Sequence, residues 1–150
     1  MVGFFFGTIR MSQAITINGN DQGLPVEFLY RDGQTIVRLL ESITYHTIAG
    51  PITVPAGFES DGCSMPRLFW RLFGHPFDMR YLREAILHDW LYWIQSFPRR
   101  DSDDIFRISL HVSGRLAEWR IEAIAFGLRL FGWIAWRANR RRRQRALRQG

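Results

Sequence analysis

The chain changes near residue 60 from a strand-like pattern to a helix-like pattern, and this change most limits what it can fold into. The segment "VEFLYRDGQTIVRLL" contains two strand-like runs on either side of Asp32 and Gly33, a pair typical of a hairpin turn. The segment "SITYHTIAGPITVPAGF" predicts a second pair of strands, which turns at residues 49–51. We therefore expect four or five short antiparallel strands before residue 58.

Helical signals dominate the rest of the chain. Ser64 is a candidate N-cap for a short helix, and Asp78 is a candidate N-cap for a second helix that ends before Pro98. The segment "DSDDIFRISLHVSG" predicts a third helix, and the last helix begins at about Leu116 and runs into an Arg-rich end. The sequence thus predicts an α+β fold. In this fold a small N-terminal antiparallel β-sheet packs against three to four C-terminal helices, and a flexible basic C-terminal tail follows.

Length and charge indicate one domain with a basic tail. A chain of 150 residues, 47% of them hydrophobic, can bury a substantial core. We place the domain at residues 13–138, between an uncertain N-terminal extension (1–12, with Met11 as an alternative start) and an Arg-rich tail (139–150). The net charge is +6, but residues 137–150 hold seven Arg and no acid, so the positive excess belongs to the tail.

Several classes of protein are disfavoured by what the sequence lacks. Cys63 is the single cysteine, which excludes a disulfide framework, and we interpret it as a packing residue and not as a nucleophile. The four His do not form a zinc-binding pattern, and neither a phosphate-binding glycine loop nor a Gly-x-Ser-x-Gly elbow occurs. The apolar run at the N-terminus is too short for a membrane span and lacks the basic flank of a signal peptide.

The segments "FESDGCSMPRLFW" and "EAILHDWLYW" carry the candidate chemistry. On a helix, Glu84, His88 and Tyr92 share one face, whereas Asp89 points about 100° away from His88. A His that is oriented by a carboxylate can act as a general base, and an Asp can bind a divalent cation together with backbone carbonyls. The "DGCSMP" turn adds side-chain oxygens from Asp61 and Ser64.

A structural interpretation of the same residues stays open. Asp61 can form an Asx-turn, and Ser64 can cap a helix. His88 and Asp89 can tie their helix to strand ends through hydrogen bonds.

The order of these segments is similar to a known family. "VPAGFESDGCSMPRLFW", "AILHDWLYW", "DDIFRISL" and "GLRLFGWIAW" resemble a phage and prophage family catalogued as domain of unknown function 1353, over about residues 35–136. The sequence departs from the family pattern at Ser60, where Thr is usual, and at Cys63, where a small apolar residue is usual. The resemblance implies a protein made in the cytoplasm of a bacterial host, with virion association as a further expectation, and partners among phage or host proteins. The resemblance also implies that the polar residues of the family pattern correspond to Asp61, Ser64, His88, Asp89, Tyr92 and Asp104 in this sequence.

A second resemblance is local. "HDWLY" is similar to the His-Asp-x-x-Tyr helix of calcium-dependent secreted phospholipases. This resemblance implies that His88 activates a water, that Asp104 on a neighbouring helix orients His88, and that Tyr92 supports this network. It also implies that Asp89 holds a divalent cation such as calcium, and Asp61 is a second candidate ligand.

The distribution of aromatic and basic residues on the last helix indicates a surface for contact with other molecules. One side carries a core-like apolar stripe, and the opposite side carries Phe126, Leu130, Trp133 and Trp136 next to basic residues. This aromatic and basic side could lie on the bacterial envelope or pack on a partner, and the Arg cluster would bind nucleic acid only non-specifically. A second core face followed by a solvated tail is the alternative.

Two functions of different class follow. The first is a hydrolase that acts on the bacterial envelope, either on phospholipid or on peptidoglycan, with His88, Asp104, Asp61, Ser64 and Tyr92 as the candidate catalytic set. The second is a non-enzymatic phage protein for virion structure, assembly or host interaction, in which the same residues stabilise the fold.

Overall fold

The computed structural model describes residues 15–17, 23–47, 49–61 and 78–150 of the protein. The described part confirms the predicted α+β fold. Six strands come first: β1 (Ile15–Ile17), β2 (Val26–Arg31), β3 (Gln34–Leu39), β4 (Ile43–Thr47), β5 (Gly50–Val54) and β6 (Glu59–Ser60). In the described part of the chain three helices follow: α1 (Leu82–Ile94), α2 (Arg99–Ser113) and α3 (Glu118–Gln149). The short helix predicted to begin at Ser64 lies outside the described residues.

The strands form two antiparallel sheets of three strands each, ordered β1-β4-β5 and β2-β3-β6. The predicted hairpin at Asp32 and Gly33 is confirmed, since β2 pairs with β3 directly across these two residues. Their φ angles are 53° and 77°, which is the left-handed geometry that a two-residue hairpin turn requires. The second predicted pair is also confirmed, because β4 pairs with β5 from Ile43 opposite Val54 to Thr47 opposite Gly50.

Helix α1 is the centre of the structure because it is buried on two sides. On one side Leu82, Ile86, Leu87 and Leu91 join strand residues such as Tyr45 in one apolar cluster. On the other side Ala85 packs with a second cluster supplied by α2, α3 and the connection between them, made of Phe106, Leu110, Leu116, Ile121, Ile124 and Leu128. Neighbouring residues of α1 therefore face different environments, which decides where the polar side chains of this helix lie.

Helix α3 is longer than the sequence predicts. It continues through Gln149, across the boundary expected at residue 139, so the Arg-rich end is helical and not a flexible tail. Arg is a good helix former, and basic side chains near a helix C-terminus interact favourably with the helix dipole. This end is also attached to α1, because Gln95 Nε2 donates to the carbonyl of Trp136 at 2.9 Å and Arg143 donates to the carbonyl of Ile94. Within the described residues, none of the helices is long and apolar enough to cross a membrane.

Candidate functional site

A buried polar network joins the three helices around His88. His88 lies on α1 and is 4% exposed. Its Nε2 atom lies 2.9 Å from Oδ1 of Asp103, which is on α2. The imidazole stacks on Phe106, with the ring centroids 4.6 Å apart, and also contacts the ring of Tyr92 at 4.2 Å. The ring of His88 is therefore held both by a carboxylate and by two aromatic neighbours.

Asp103 receives donors from three side chains. Tyr92 Oη donates to Oδ1 at 2.6 Å, and Arg99 Nη1 donates to Oδ2 at 3.2 Å. An acceptor that serves both donors is best satisfied as a carboxylate, so Nε2 of His88 is the atom that carries the proton and donates. In that tautomer the lone pair is on Nδ1. A neutral imidazole that carries its proton on Nε2 can accept a second proton from a water at Nδ1.

The protonation of Tyr92 and a second hydrogen bond from Arg99 stabilise the network. Burial, followed by the nearby charge of Asp103, raises the pKa of Tyr92, so the phenol keeps the proton that it donates. Arg99 Nη1 also donates to the carbonyl of Leu128 at 3.1 Å, which links α2 to α3. The network is therefore part of the interface of all three helices.

Gly132 lets α3 approach this network closely. A Cβ atom at this position would lie 2.7 Å from Tyr92 Oη and 3.1 Å from Arg99 Nη1. Real side chains do not tolerate the first distance, so only glycine fits here without displacing Tyr92. The same glycine belongs to the segment "GLRLFGWIAW", which carries part of the family resemblance.

The assignment of the orienting acid to Asp104 was wrong, because Asp103 makes the contact with His88. Adjacent helical residues point about 100° apart, so both cannot reach the same ring. Asp104 is partly buried instead, which raises its pKa, while the positive charges of Arg129 and Arg107 oppose this shift.

Two signals in the sequence favour Asp103 over Asp104. In the segment "DDIFRISL", Asp103 precedes Phe106 by three residues, which places both on one side of a helix. Asp103, Phe106 and Leu110 also follow the i, i+3, i+7 pattern of one buried helix face.

Asp89 lies on a different side of α1, next to the strands. Ser60 Oγ at the end of β6 donates a hydrogen bond to Asp89 Oδ2. Although Asp89 is partly exposed, the loss of water contacts around its carboxyl group raises its pKa, and the negative charge of Asp61 raises it further. The hydrogen bond from Ser60 opposes these effects without reversing them. The negative charge of Asp61 thus disfavours the ionised form of Asp89.

These acids line a cleft of about 220 Å³ between the strands and two helices. Its walls include Ser60, Asp61, Asp89, Trp93, Asn139 and Arg142. The cleft therefore combines carboxylates, an indole, an amide and a guanidinium. Among the described residues, no group of three or more His, Cys, Asp or Glu side chains could hold a metal ion. A cation bound by Asp61 and Asp89 would need carbonyl or water oxygens to complete its shell.

The predicted polar residues fall into two groups rather than one cluster. His88 and Tyr92 belong to the network between the helices, whereas Asp61 and Asp89 belong to the cleft. The separation follows from the rotation of about 100° between His88 and Asp89 on one helix. Ser64 and Cys63 lie outside the described residues.

Glu84 shares a helix face with His88 but is not part of the hydrogen-bonded network. The side chain is 1% exposed, and its Oε2 atom has no hydrogen-bond partner among the described residues. Burial raises the pKa of this carboxyl group. Glu84 is thus a buried acid that costs stability when it is ionised.

Comparison with known proteins gives a family without an assigned activity. The chain is similar to "Uncharacterized protein y4jT" of Sinorhizobium fredii (strain NBRC 101917 / NGR234), with 24% identity over 128 residues. The match covers 85% of this chain but 38% of the relative, so the chain spans well under half of that protein's length. No solved structure matches the chain. The model of the family "Protein of unknown function (DUF1353)" matches residues 37–124, more than half of the chain, and the protein therefore belongs to this family.

Proposed function

We propose that the protein is a hydrolase in which His88 activates a water and Asp103 orients His88. The single observation that carries this proposal is the contact of 2.9 Å between Nε2 of His88 and Oδ1 of Asp103. It leaves Nδ1 as the basic atom of a ring whose position is fixed. A base held in this way is the minimal unit for removing a proton from water.

The arrangement around Asp103 supports a phospholipase-like reaction. The local resemblance of "HDWLY" implies a His that is oriented by an acid from a neighbouring helix, with a Tyr in support. Asp103 of α2 contacts both His88 and Tyr92 of α1, which agrees with this implication once Asp104 is replaced by Asp103. The contacts support phospholipid as the first substrate class to test.

The phage and prophage resemblance supports the bacterial envelope as the target, because a phage must cross or break it. Peptidoglycan is therefore the second substrate class. In either reaction His88 would take a proton from water as the water attacks the carbonyl carbon of a phospholipid ester or of a peptidoglycan amide. The bond from this carbon to the alcohol oxygen or the amide nitrogen would then break, and His88 would give its proton to that leaving atom.

A divalent cation fits the acidic side of the cleft. The negative charge of Asp61 disfavours the ionised form of Asp89, and a bound cation would offset this effect and favour the carboxylate of Asp89. Calcium prefers oxygen ligands of this kind. When bound, such an ion would supply positive charge for an oxyanion near the cleft.

The burial of His88 favours a second candidate function. His88 is 4% exposed and contacts the rings of Phe106 and Tyr92, which is the environment of a side chain whose role is to hold the helices together. The protein would then be a non-enzymatic phage protein for structure, assembly or host interaction. In that case the loss of His88 would lower stability, and binding to a partner would depend on another surface.

Hydrolysis assays on the purified chain distinguish the two candidates. We would measure fatty-acid release from phospholipid vesicles and fragment release from peptidoglycan, with and without calcium, for the wild type and for His88→Ala. His111→Ala is the matched control, because His111 contacts Glu122 and not the network. The hydrolase proposal expects activity that His111→Ala keeps and that a folded His88→Ala loses. Background rates for all three chains under every condition would overturn it.

A further inference from the structure

The outer face of α3 is apolar and exposed over half of the helix. Trp119, Phe126, Leu130 and Trp133 are 62%, 64%, 48% and 46% exposed. Their spacing of seven, four and three residues places them along one side of the helix. The opposite side carries Ile121, Ile124, Leu128 and Gly132, all of which are buried. We call the exposed row, continued by the basic residues described next, the outer face.

This concentration of apolar surface is unusual for a protein surface. Among the described residues, eleven large hydrophobic side chains are exposed, and seven of them lie on α3. Single exposed apolar residues are ordinary, but a contiguous row of aromatic residues marks a contact surface. Tryptophan and phenylalanine are the residues that helices insert into the boundary region of a lipid bilayer.

The outer face continues as a row of positive charges. Arg137, Arg140, Arg141 and Arg148 follow the aromatic residues on the same side of the helix and are exposed. The guanidinium of Arg137 lies 5.0 Å from the ring centroid of Trp133, so the two parts of the face meet there. From residue 123 to residue 149 the helix holds eight Arg and neither Asp nor Glu. The partner must therefore offer both apolar surface and negative charge.

We propose that the outer face of α3 docks on an anionic lipid surface, with the helix lying parallel to the membrane plane. The aromatic side chains would enter the boundary between headgroups and acyl chains, and the Arg side chains would bind lipid phosphates. A helix of 32 residues is about 48 Å long, so both halves of the face can contact the same surface. Lying on the surface is also consistent with the finding that no described helix is suited to cross a membrane.

Charge argues against a second copy of this chain as the occupant. Another copy would bring eight more Arg from the same segment and no acid to neutralise them. Glu122, which lies near the beginning of the helix, already pairs with Arg107 at 2.6 Å and with His111 at 3.2 Å. Nucleic acid would satisfy the Arg side chains, but its phosphate backbone offers no apolar surface for the aromatic row.

The docking surface is separate from both the network around His88 and the cleft. Gly132 meets the network from the inner side of α3, and Asn139 and Arg142 line the cleft from that side. The outer face can therefore contact a membrane while the cleft stays uncovered. The inference therefore does not rest on hydrolysis, and it holds for either function proposed above.

Vesicle flotation tests the inference with the full chain. We expect binding to vesicles of phosphatidylcholine and phosphatidylglycerol, at least tenfold weaker binding to phosphatidylcholine alone, and a decrease in binding as salt is added. The double variant Phe126→Gln/Trp133→Gln and the double variant Arg137→Gln/Arg141→Gln should each weaken binding at least tenfold.

Matched controls exist elsewhere on the surface. Tyr30→Gln removes an aromatic ring that is 78% exposed on a strand, and Arg100→Gln removes an exposed charge from α2. Both should bind anionic vesicles as the wild type does. Equal binding to neutral vesicles, unchanged binding of the two double variants, or self-association or DNA binding in place of vesicle binding would overturn the inference.

Discussion

His88 and Asp103 form a buried imidazole–carboxylate pair, with Nε2 of the ring 2.9 Å from Oδ1 of the acid. The pair joins α1 to α2, and Arg99 extends it to the backbone of α3. One contact therefore has two consequences. It stabilises the helical interface, and it leaves Nδ1 of His88 as the basic atom.

The stability of the network depends on Asp103 and not on its neighbour. Asp103→Asn should lower the free energy of unfolding by about 1–3 kcal/mol, because an amide presents a donor to groups that also donate. Asp104→Asn should change it by less than about 0.5 kcal/mol, as is usual for sites outside such a network. Urea denaturation of the two variants measures the difference. Equal effects at both positions would show that the network contributes little.

Gly132 is predicted to be intolerant of even one methyl group. In an ordinary helix interior Gly→Ala gains about 1 kcal/mol, but here the new Cβ would lie 2.7 Å from Tyr92 Oη. We expect Gly132→Ala to lose about 1–3 kcal/mol instead, through overpacking. In a Tyr92→Phe background the loss should be smaller, because the nearest atom is gone. Thermal and urea unfolding measure the effect. If Gly132→Ala stabilises the protein, the result would contradict the close contact of α3 with Tyr92.

Glu84 should make stability depend on pH. Burial raises the pKa of this carboxyl group above its ordinary value of 4.5 in the folded state. Between 4.5 and that raised pKa the unfolded chain binds fewer protons than the folded one, so stability falls as pH rises through this window. Glu84→Gln removes this loss. The free energy of unfolding of the variant, relative to that of the wild type, should therefore increase as the pH rises from about 3.5 to about 7.

The control for this prediction is Glu118→Gln, since Glu118 is exposed at the start of α3. Its stability curve should run parallel to that of the wild type. If Glu84→Gln also runs parallel, the carboxyl group does not titrate differently in the folded state.

Calcium should stabilise the protein through Asp89. A ligand that binds only the folded state stabilises it by about 2.7 kcal/mol at one hundred times its dissociation constant. We expect calcium to raise the melting temperature of the wild type and of Asp104→Asn, and to leave that of Asp89→Asn unchanged. An equal increase for Asp89→Asn would place any cation elsewhere, and no increase in the wild type would remove the cation from the mechanism.

The sequence predicts the local features of this fold well. The hairpin at Asp32 and Gly33 depends on two adjacent residues that adopt positive φ, and these residues are visible in the sequence. The helix that carries His88 and Asp89 is likewise confirmed. Because both residues lie on one helix, the angle between them also follows from the sequence, and this angle places them in two separate groups.

Features that depend on packing between distant segments are not predictable in the same way. Asp103 and Asp104 are chemically identical neighbours, and only the rotation of α2 against α1 brings the first of them to His88. The cleft brings Gln34 and Asp61 together with Arg142, and no local pattern connects them. The full length of α3 was missed because a run of Arg is typical both of a solvated tail and of a helix end.

The rate of hydrolysis by Asp103→Asn and Asp104→Asn, measured on phospholipid vesicles and on peptidoglycan beside the wild type, tests the central claim most directly. If Asp103 orients the base, Asp103→Asn should lose about 10²-fold or more in rate while it remains folded. Asp104→Asn should keep the wild-type rate within about twofold. Equal rates for the two variants, or a wild type at background on both substrates, would contradict the claim that His88 and Asp103 act as a catalytic pair.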